Sequence, residues 1–475
     1  MSNDELTYLP ASCLAERIRS KQISSVEATQ HFLERISRYN PRYSAFITVA
    51  ADQAMEAAKA ADDATVRGSS AGPLHGVPIA IKDLNSTKGI RTTRGSLLYK
   101  DWVPDADDIP TERIRAAGAV ILGKTNTPEF GWKGTTENML TDPCRNPWDA
   151  TRTSGGSSGG AGVVVAAGLA PLAGGSDAGG SIRIPASFCG VYGIKPTFGR
   201  VPTSYEGPGG WRSLSQNGPI TSTVEDAALL LSVLAGPSPR DATCIQETPP
   251  DFKAAVHNPS VAGLRIAWSP ALDNQPVDPQ VRNLTAKAAK AFEAMGASVV
   301  EASPEYSTEQ MSDVFRTLML TDLAVALGPA VETQRELITP LLAKWVADGM
   351  SWPATRLAFA LRELEWHKWR LDRFFEQYDL LLTPAMAVSA FPIEEFPSTI
   401  DGVTVDRRWG FTPFLYPFNM GGQPAASVPC GFTTDGLPIG LQIVGPKGSE
   451  ARVLQASAAY EAAHPWAGRR PLLDA

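Results

Sequence analysis

Cysteine and histidine are both scarce in this chain of 475 residues, which has five of each. Cys13, Cys144, Cys189, Cys244 and Cys430 are odd in number, widely scattered and form no CxxC pair. No disulfide framework is encoded, and reduced thiols in a reducing compartment are expected. His31, His75, His257, His367 and His464 lack metal-ligand spacing, which argues against a protein-bound metal. Clustered cations are missing too: 43 Lys and Arg stand against 50 Asp and Glu, a net charge of -7, whereas a phosphate backbone requires a basic patch. The longest apolar-looking run, residues 161–173, is too short for a bilayer and carries Gly162, Gly168 and Pro171. Residues 1–6 are acidic where a secretory signal would be basic and then apolar. These absences point to a soluble cytoplasmic protein whose partner is a small molecule, with no nucleic acid and no membrane involved.

What is present is a globular composition, 43% hydrophobic and 20% charged, sufficient for a large core. The length suits two or three domains, or one large α/β unit. Residues 11–65 read as helices, with Ser25 as an N-cap and Val26, His31, Phe32 and Ile36 at helical spacing. Val77, Ile79 and Ile81 alternate as in a short strand. Residues 113–117 read as helix and residues 119–122 as a buried strand, an alternation typical of α/β architecture. Residues 151–210 are dense in Gly, Ser, Pro and Thr, as a linker would be. They also bracket apolar stretches at 161–169 and 182–194, which a linker does not need. Residues 270–375 read as mostly helical, residues 378–383 as a strand ending at Pro384, and residues 441–444 as another strand.

Two short patterns mislead. GAVILGKT at residues 118–125 fits the phosphate-loop expression, but its middle residues are themselves strand-like and Pro128 follows where a helix has to begin. A buried strand is the better reading. GSSGG at residues 156–160 fits a nucleophile elbow centred on Ser158, yet no apolar strand precedes it and no later histidine has a distinctive flank.

Three longer segments carry more: GPLHGVPIAIKD at 72–83, GGSSGG at 155–160 and GGSDAGGSIRIP at 174–185. With GKTN at 123–126, GVYGIKPTFGRV at 190–201, GPI at 218–220 and residues 418–446, they give a chain that resembles the amidase signature family of Ser-cisSer-Lys hydrolases. The likeness covers nearly everything outside residues 250–375. It implies an α/β fold, a single large mixed twisted β-sheet covered on both faces by helices, forming one domain over residues 1–475. The catalytic core would be residues 60–240 and 405–465, and residues 250–375 the variable helical part.

The chemistry follows from the residues as well. Lys82 ends an apolar strand, where desolvation lowers an amine's pKa and lets it act as a base. A serine hydroxyl is a poor nucleophile until a base takes its proton. The resemblance implies that Ser157, held by a cis peptide to Gly156, bridges Lys82 to the nucleophile Ser181. It also implies an oxyanion hole from the amides of Ala178, Gly179, Gly180 and Ser181, where two glycines let backbone come within about 3 Å of a substrate oxygen. Ser158, Asp177 and Arg183 would orient the serines, and Ser176 stands where many members have Thr. Phe130, Gly131, Trp132, Tyr205 and Trp211 are pocket candidates by the same resemblance, which implies neither cofactor nor metal.

The charged residues near the pocket motifs are Glu129, Lys133, Glu137, Glu206 and Arg212. A charged substrate group needs a buried partner, while a ring needs only apolar surface. The expected activity is therefore hydrolysis of small neutral amides, chiefly aryl amides or anilides, with carbamates as a further class, through an acyl-enzyme. One alternative is the glutaminase subunit of a tRNA-dependent amidotransferase; another is a member without catalysis that serves as a subunit or scaffold. The Gly- and aromatic-rich loop at 202–211 favours the first reading over a polar glutamine site. A homodimer is left open.

Overall fold

Eleven strands join in one sheet in the computed structural model, which describes residues 3–70, 72–203 and 214–474. The strands are β1 (Phe46–Val49), β2 (Pro78–Lys82), β3 (Val120–Thr125), β4 (Leu172–Asp177), β5 (Tyr192–Lys195), β6 (Gln216–Thr221), β7 (Arg265–Trp268), β8 (Ser298–Glu301) and β9 (Leu380–Pro384), followed by a separate small hairpin of β10 (Thr399–Ile400) and β11 (Val403–Thr404), then β12 (Ala425–Phe432) and β13 (Pro438–Val444). Their order across the sheet is β1-β3-β2-β4-β6-β5-β12-β13-β9-β7-β8. β2 runs parallel to β3 and β4, and β7 runs parallel to β8 and β9; the other pairs are antiparallel.

Side chains alternate faces along a strand, and here both faces are packed. Leu380, Leu382 and Ala426 enter one hydrophobic cluster, while Leu381 and Ala425 enter another. The helices over these faces give the mixed α/β architecture that the family resemblance implies.

Local sequence accounts for several elements. The helix Ser25–Tyr43 is capped by Ser24, not Ser25: the Ser24 side chain accepts from the Glu27 amide, and Glu27 Oε2 accepts from the Ser24 amide at 2.8 Å. Ser25 instead donates its hydroxyl to Gly76 O at 2.8 Å, tying this helix to the approach to β2. The VILGKT part of GAVILGKT forms β3, with Lys124 buried inside it, so the segment is a strand and no phosphate loop. Residues 270–375 hold the helices Pro279–Ala294, Thr308–Thr333, Pro340–Met350 and Ala354–Phe375, but β8 interrupts them.

Among the described residues, Thr308–Thr333 is the one helix long and apolar enough to cross a membrane, with mean hydropathy 1.5 over 18 residues. Here 61% of that window is buried within the protein. Met311, Val314, Phe315, Leu318 and Leu323 all belong to a core cluster, which accounts for the apolar composition.

Candidate active site

Three chain segments meet at the ends of β2 and β4. β2 delivers Lys82, fully buried, at its last position. β4 ends at Asp177, immediately before the Ala178-Gly179-Gly180-Ser181 turn. Between them in sequence, Ser157 and Ser158 lead into the helix Gly159–Ala166, and the Gly156–Ser157 peptide is cis. Glycines make the approach possible. A Cβ on Gly156 would lie 2.5 Å from Thr135 O, and one on Gly179 would lie 2.6 Å from the Phe315 ring, far inside normal contact.

Lys82 Nζ lies 2.7 Å from Ser157 Oγ, 3.0 Å from Ser176 Oγ and 3.2 Å from Ser176 O. Desolvation by burial pulls its pKa from the ordinary 10.5 to about 7, against an opposing pull from the Asp177 charge. The lysine is therefore substantially neutral near pH 7. Ser158 Oγ donates to Ser176 O at 3.1 Å, and the Ser158 amide donates to Ser181 O at 3.2 Å, so this serine holds both neighbouring segments. Ser181 is 9% exposed, against 2% for Ser157 and 0% for Lys82, so it is the member that meets solvent. Among the described residues its hydroxyl has no hydrogen-bond partner; the geometry joins Lys82 to Ser157 and leaves Ser181 Oγ open beside them.

Asp177 and Arg183 form a fully buried ion pair through two contacts, Nε to Oδ2 at 2.9 Å and Nη2 to Oδ1 at 3.0 Å. Burial alone would raise the Asp177 carboxyl, but Arg183's charge and hydrogen bonds, helped by Lys195 and Asn419, hold it well below the usual range. Arg183 also donates to Gln442 Oε1 and Asn419 Oδ1, each at 2.6 Å, and Asn419 Nδ2 returns a bond to Asp177 Oδ1 at 2.9 Å. The turn after β4 is thus fixed from β13 and from the helix Tyr416–Gly421.

The Gly180 amide donates to Asp177 Oδ1 at 2.6 Å. This differs from the expected set of four free donors: Gly180 helps shape the turn, while the amides of Ala178, Gly179 and Ser181 have no acceptor among the described residues.

A narrow cleft of about 10 Å³ opens over Ser181, lined by Gly131, Trp132, Lys133, Gly134, Ala178, Gly179, Ile184, Phe315 and Trp409. Of the pocket candidates, Gly131 and Trp132 line it and Phe130 does not. Phe130 has φ 50° within a short turn and sets its ring edge-on to Tyr99 at 5.9 Å, in the core. Tyr205 and Trp211 lie outside the described residues. Sequence reasoning missed Phe315, Trp409, Asn419 and Gln442, each remote in sequence from Ser181, and also the contact of Ser176 with Lys82. Among the described residues no group of three His, Cys, Asp or Glu could hold a metal ion.

Comparison with known proteins gives the family. The Amidase family model matches residues 27–454. The chain is 37% identical to an acylamidase of Rhodococcus erythropolis, covering 99% of this chain and 98% of that one. It is 39% identical to one of the subunits of the glutamyl-tRNA(Gln) amidotransferase of Moorella thermoacetica, covering 99% of each. The crystal structure of a bacterial aryl acylamidase of the amidase signature enzymes matches with a TM-score of 0.90 at 32% identity, covering 98% of this chain and 99% of that one. With a family model and relatives matching along almost its whole length, the chain belongs to the amidase family, and it is a hydrolase of carbon–nitrogen amide bonds.

Proposed function

We propose that the protein hydrolyses small neutral amides, with aryl amides and anilides preferred and aryl carbamates as a second class, through Ser181, Ser157 and Lys82. The carrying observation is the 2.7 Å contact between a desolvated Lys82 amine and Ser157, beside a cleft with Ser181 in its wall. In the neutral amine, two protons serve Ser176 O and Ser176 Oγ, and the lone pair accepts the Ser157 hydroxyl proton. Ser157 Oγ in turn takes the proton of Ser181 Oγ as the latter attacks the carbonyl carbon. The carbonyl oxygen becomes an oxyanion facing the Ala178, Gly179 and Ser181 amides. Collapse breaks the C–N bond, and the nitrogen leaves with the proton returned from Lys82 through Ser157. Water, deprotonated along the same route, then cleaves the Ser181 ester and releases the acid. Asp177 and Arg183 act by positioning the turn.

The aryl preference is supported by Trp132, Ile184, Phe315 and Trp409 around the cleft, and by the aryl acylamidase and acylamidase among the relatives. A second reading, as the glutaminase component of an amidotransferase, is favoured by the several amidotransferase relatives at 36–39% identity. The test is to assay the isolated protein with acetanilide, an aryl carbamate, acetamide and glutamine. The proposal expects kcat/KM for an aryl substrate at least about tenfold above that for acetamide or glutamine, a gap of about 1.4 kcal/mol that one ring contact supplies. Ammonia release from glutamine as the fastest reaction would favour the amidotransferase reading.

A further inference from the structure

The turn at 406–410 places neighbouring residues in two different cavities. Asp406 Oδ1 accepts the amides of Arg408 and Trp409, each at 2.8 Å, and the Gly410 amide donates to Asp406 O at 2.8 Å. A Cβ on Gly410 would lie 2.6 Å from that same oxygen, so the tight turn needs glycine there. Trp409 turns into the Ser181 cleft, edge-on to Phe315 at 5.3 Å. Arg408 lines a different recess, of about 340 Å³, together with Lys133, Glu137, Glu394, Phe396 and Arg407. Lys133 lines both cavities and is their common wall.

The charges in the recess are unequally matched. Lys133 is paired with Glu137, which also accepts the Thr135 hydroxyl at 2.8 Å. Arg407 and Arg408 form no ion pair among the described residues, while Glu394 lines the same recess and the Glu137 charge acts on Arg408, so three cations face two carboxylates. The Arg408 guanidinium sits over the Phe396 ring at 4.5 Å. Stacking occupies the face of a guanidinium and leaves its in-plane N–H groups free, in the fork that matches a carboxylate. The cleft holding Ser181 is walled by apolar and aromatic groups apart from Lys133, so it has no such partner to offer.

We infer that this recess is a second substrate subsite, which takes a carboxylate carried on an arm away from the amide being cleaved, with Arg408 and Arg407 as its ligands. The group held in the cleft is still a neutral aryl amide, and an anionic end on a remote arm adds affinity to it. The inference rests on the reading that the scissile amide lies at Ser181.

Affinity for Ser181→Ala protein tests it. The probes are ω-carboxyacyl anilides and N-acetyl ω-amino acids of graded length, each paired with its nitro analogue, isosteric with the carboxylate but uncharged. Calorimetry is expected to show the carboxylate member of the best-fitting pair bound about fivefold tighter at low salt, the scale of two partly exposed contacts. That ratio is expected to shrink in about 0.5 M NaCl, where screening is short-ranged, and to fall to about one when Arg407→Gln and Arg408→Gln are added. Equal affinities at every length, or a ratio that survives the double replacement, would overturn the inference. Turnover that persists in Ser181→Ala would instead contradict the assignment of Ser181, and the affinity ratio would still report on the recess.

Discussion

Lys82 at the end of β2 and Lys124 in β3 sit on neighbouring parallel strands, one register step apart, and both are fully buried. Desolvation lowers both amines, Lys82 to about 7 and Lys124 to about 8. Their partners differ. Lys124 donates to Asn85 O, to Thr87 Oγ1 at 2.8 Å and to Thr92 Oγ1 at 3.0 Å, with the charges of Asp83 and Asp108 supporting its protonated form. All its protons are used in holding the loop after β2. Lys82 faces two serine hydroxyls and one carbonyl, and its one carboxylate neighbour, Asp177, is already bound to Arg183. Burial alone does not make a lysine a base. A base needs a partner that can give up a proton and that opens toward the substrate.

That contrast is broken or sharpened most strongly by replacing each lysine in turn. Lys82→Ala is expected to lower kcat/KM on an anilide by about 10³, within the range of a lost general base, with the urea midpoint little changed. Lys124→Ala leaves its three buried loop acceptors unpaired and weakens the support of Asp83 and Asp108, and a loss of about 3 kcal/mol is expected, read as a large fall in that midpoint. A Lys124→Ala protein that folds normally but is inactive would reverse the assignment of roles.

The pH profile is the next sharpest probe. Because the Lys82 pKa is depressed, the amine is protonated and unable to accept below about 7 and is free above it. kcat/KM should rise with pH through an apparent pKa near 7 and then level off. A flat profile from pH 6 to 9 would contradict a lysine base.

Smaller effects separate cleft from core. Trp132→Ala should erase most of the roughly tenfold preference for anilide over acetamide, because the lost ring contact is worth about 1.4 kcal/mol, and should also lower stability, since the ring is 2% exposed and packs edge-on to Trp345. Phe130→Ala, facing Tyr99, should lower stability and leave that preference in place. Ser176→Ala should cost less than about tenfold in kcat and move the pH profile to lower pH, since removing an acceptor disfavours the charged amine.

The parts of the fold legible in sequence were those built from branched and aliphatic residues: β2, β3, β9 and the end of β13. β4, with sequence LAGGSD, and β6, with sequence QNGPIT, lack that signature. Their glycines answer to packing: a Cβ on Gly218 would lie 2.3 Å from Ile194 O, and one on Gly175 3.1 Å from Ser158 Oγ. The serines and Lys82 stood out because glycine-rich segments surround them. Gln442, 259 residues beyond Arg183, and Phe315, on an otherwise ordinary apolar helix, carry no local pattern; the sheet order and helix packing alone bring them to the site.

The most direct test of the central claim is the rate and position of fluorophosphonate labelling followed across pH 5 to 9, with the adduct located by peptide mass mapping. Transfer of the Ser181 proton through Ser157 to neutral Lys82 predicts a single adduct on Ser181, forming faster as pH rises through about 7. An adduct on Ser158, or labelling of Ser181 at a rate independent of pH and unaffected by Lys82→Ala, would contradict it.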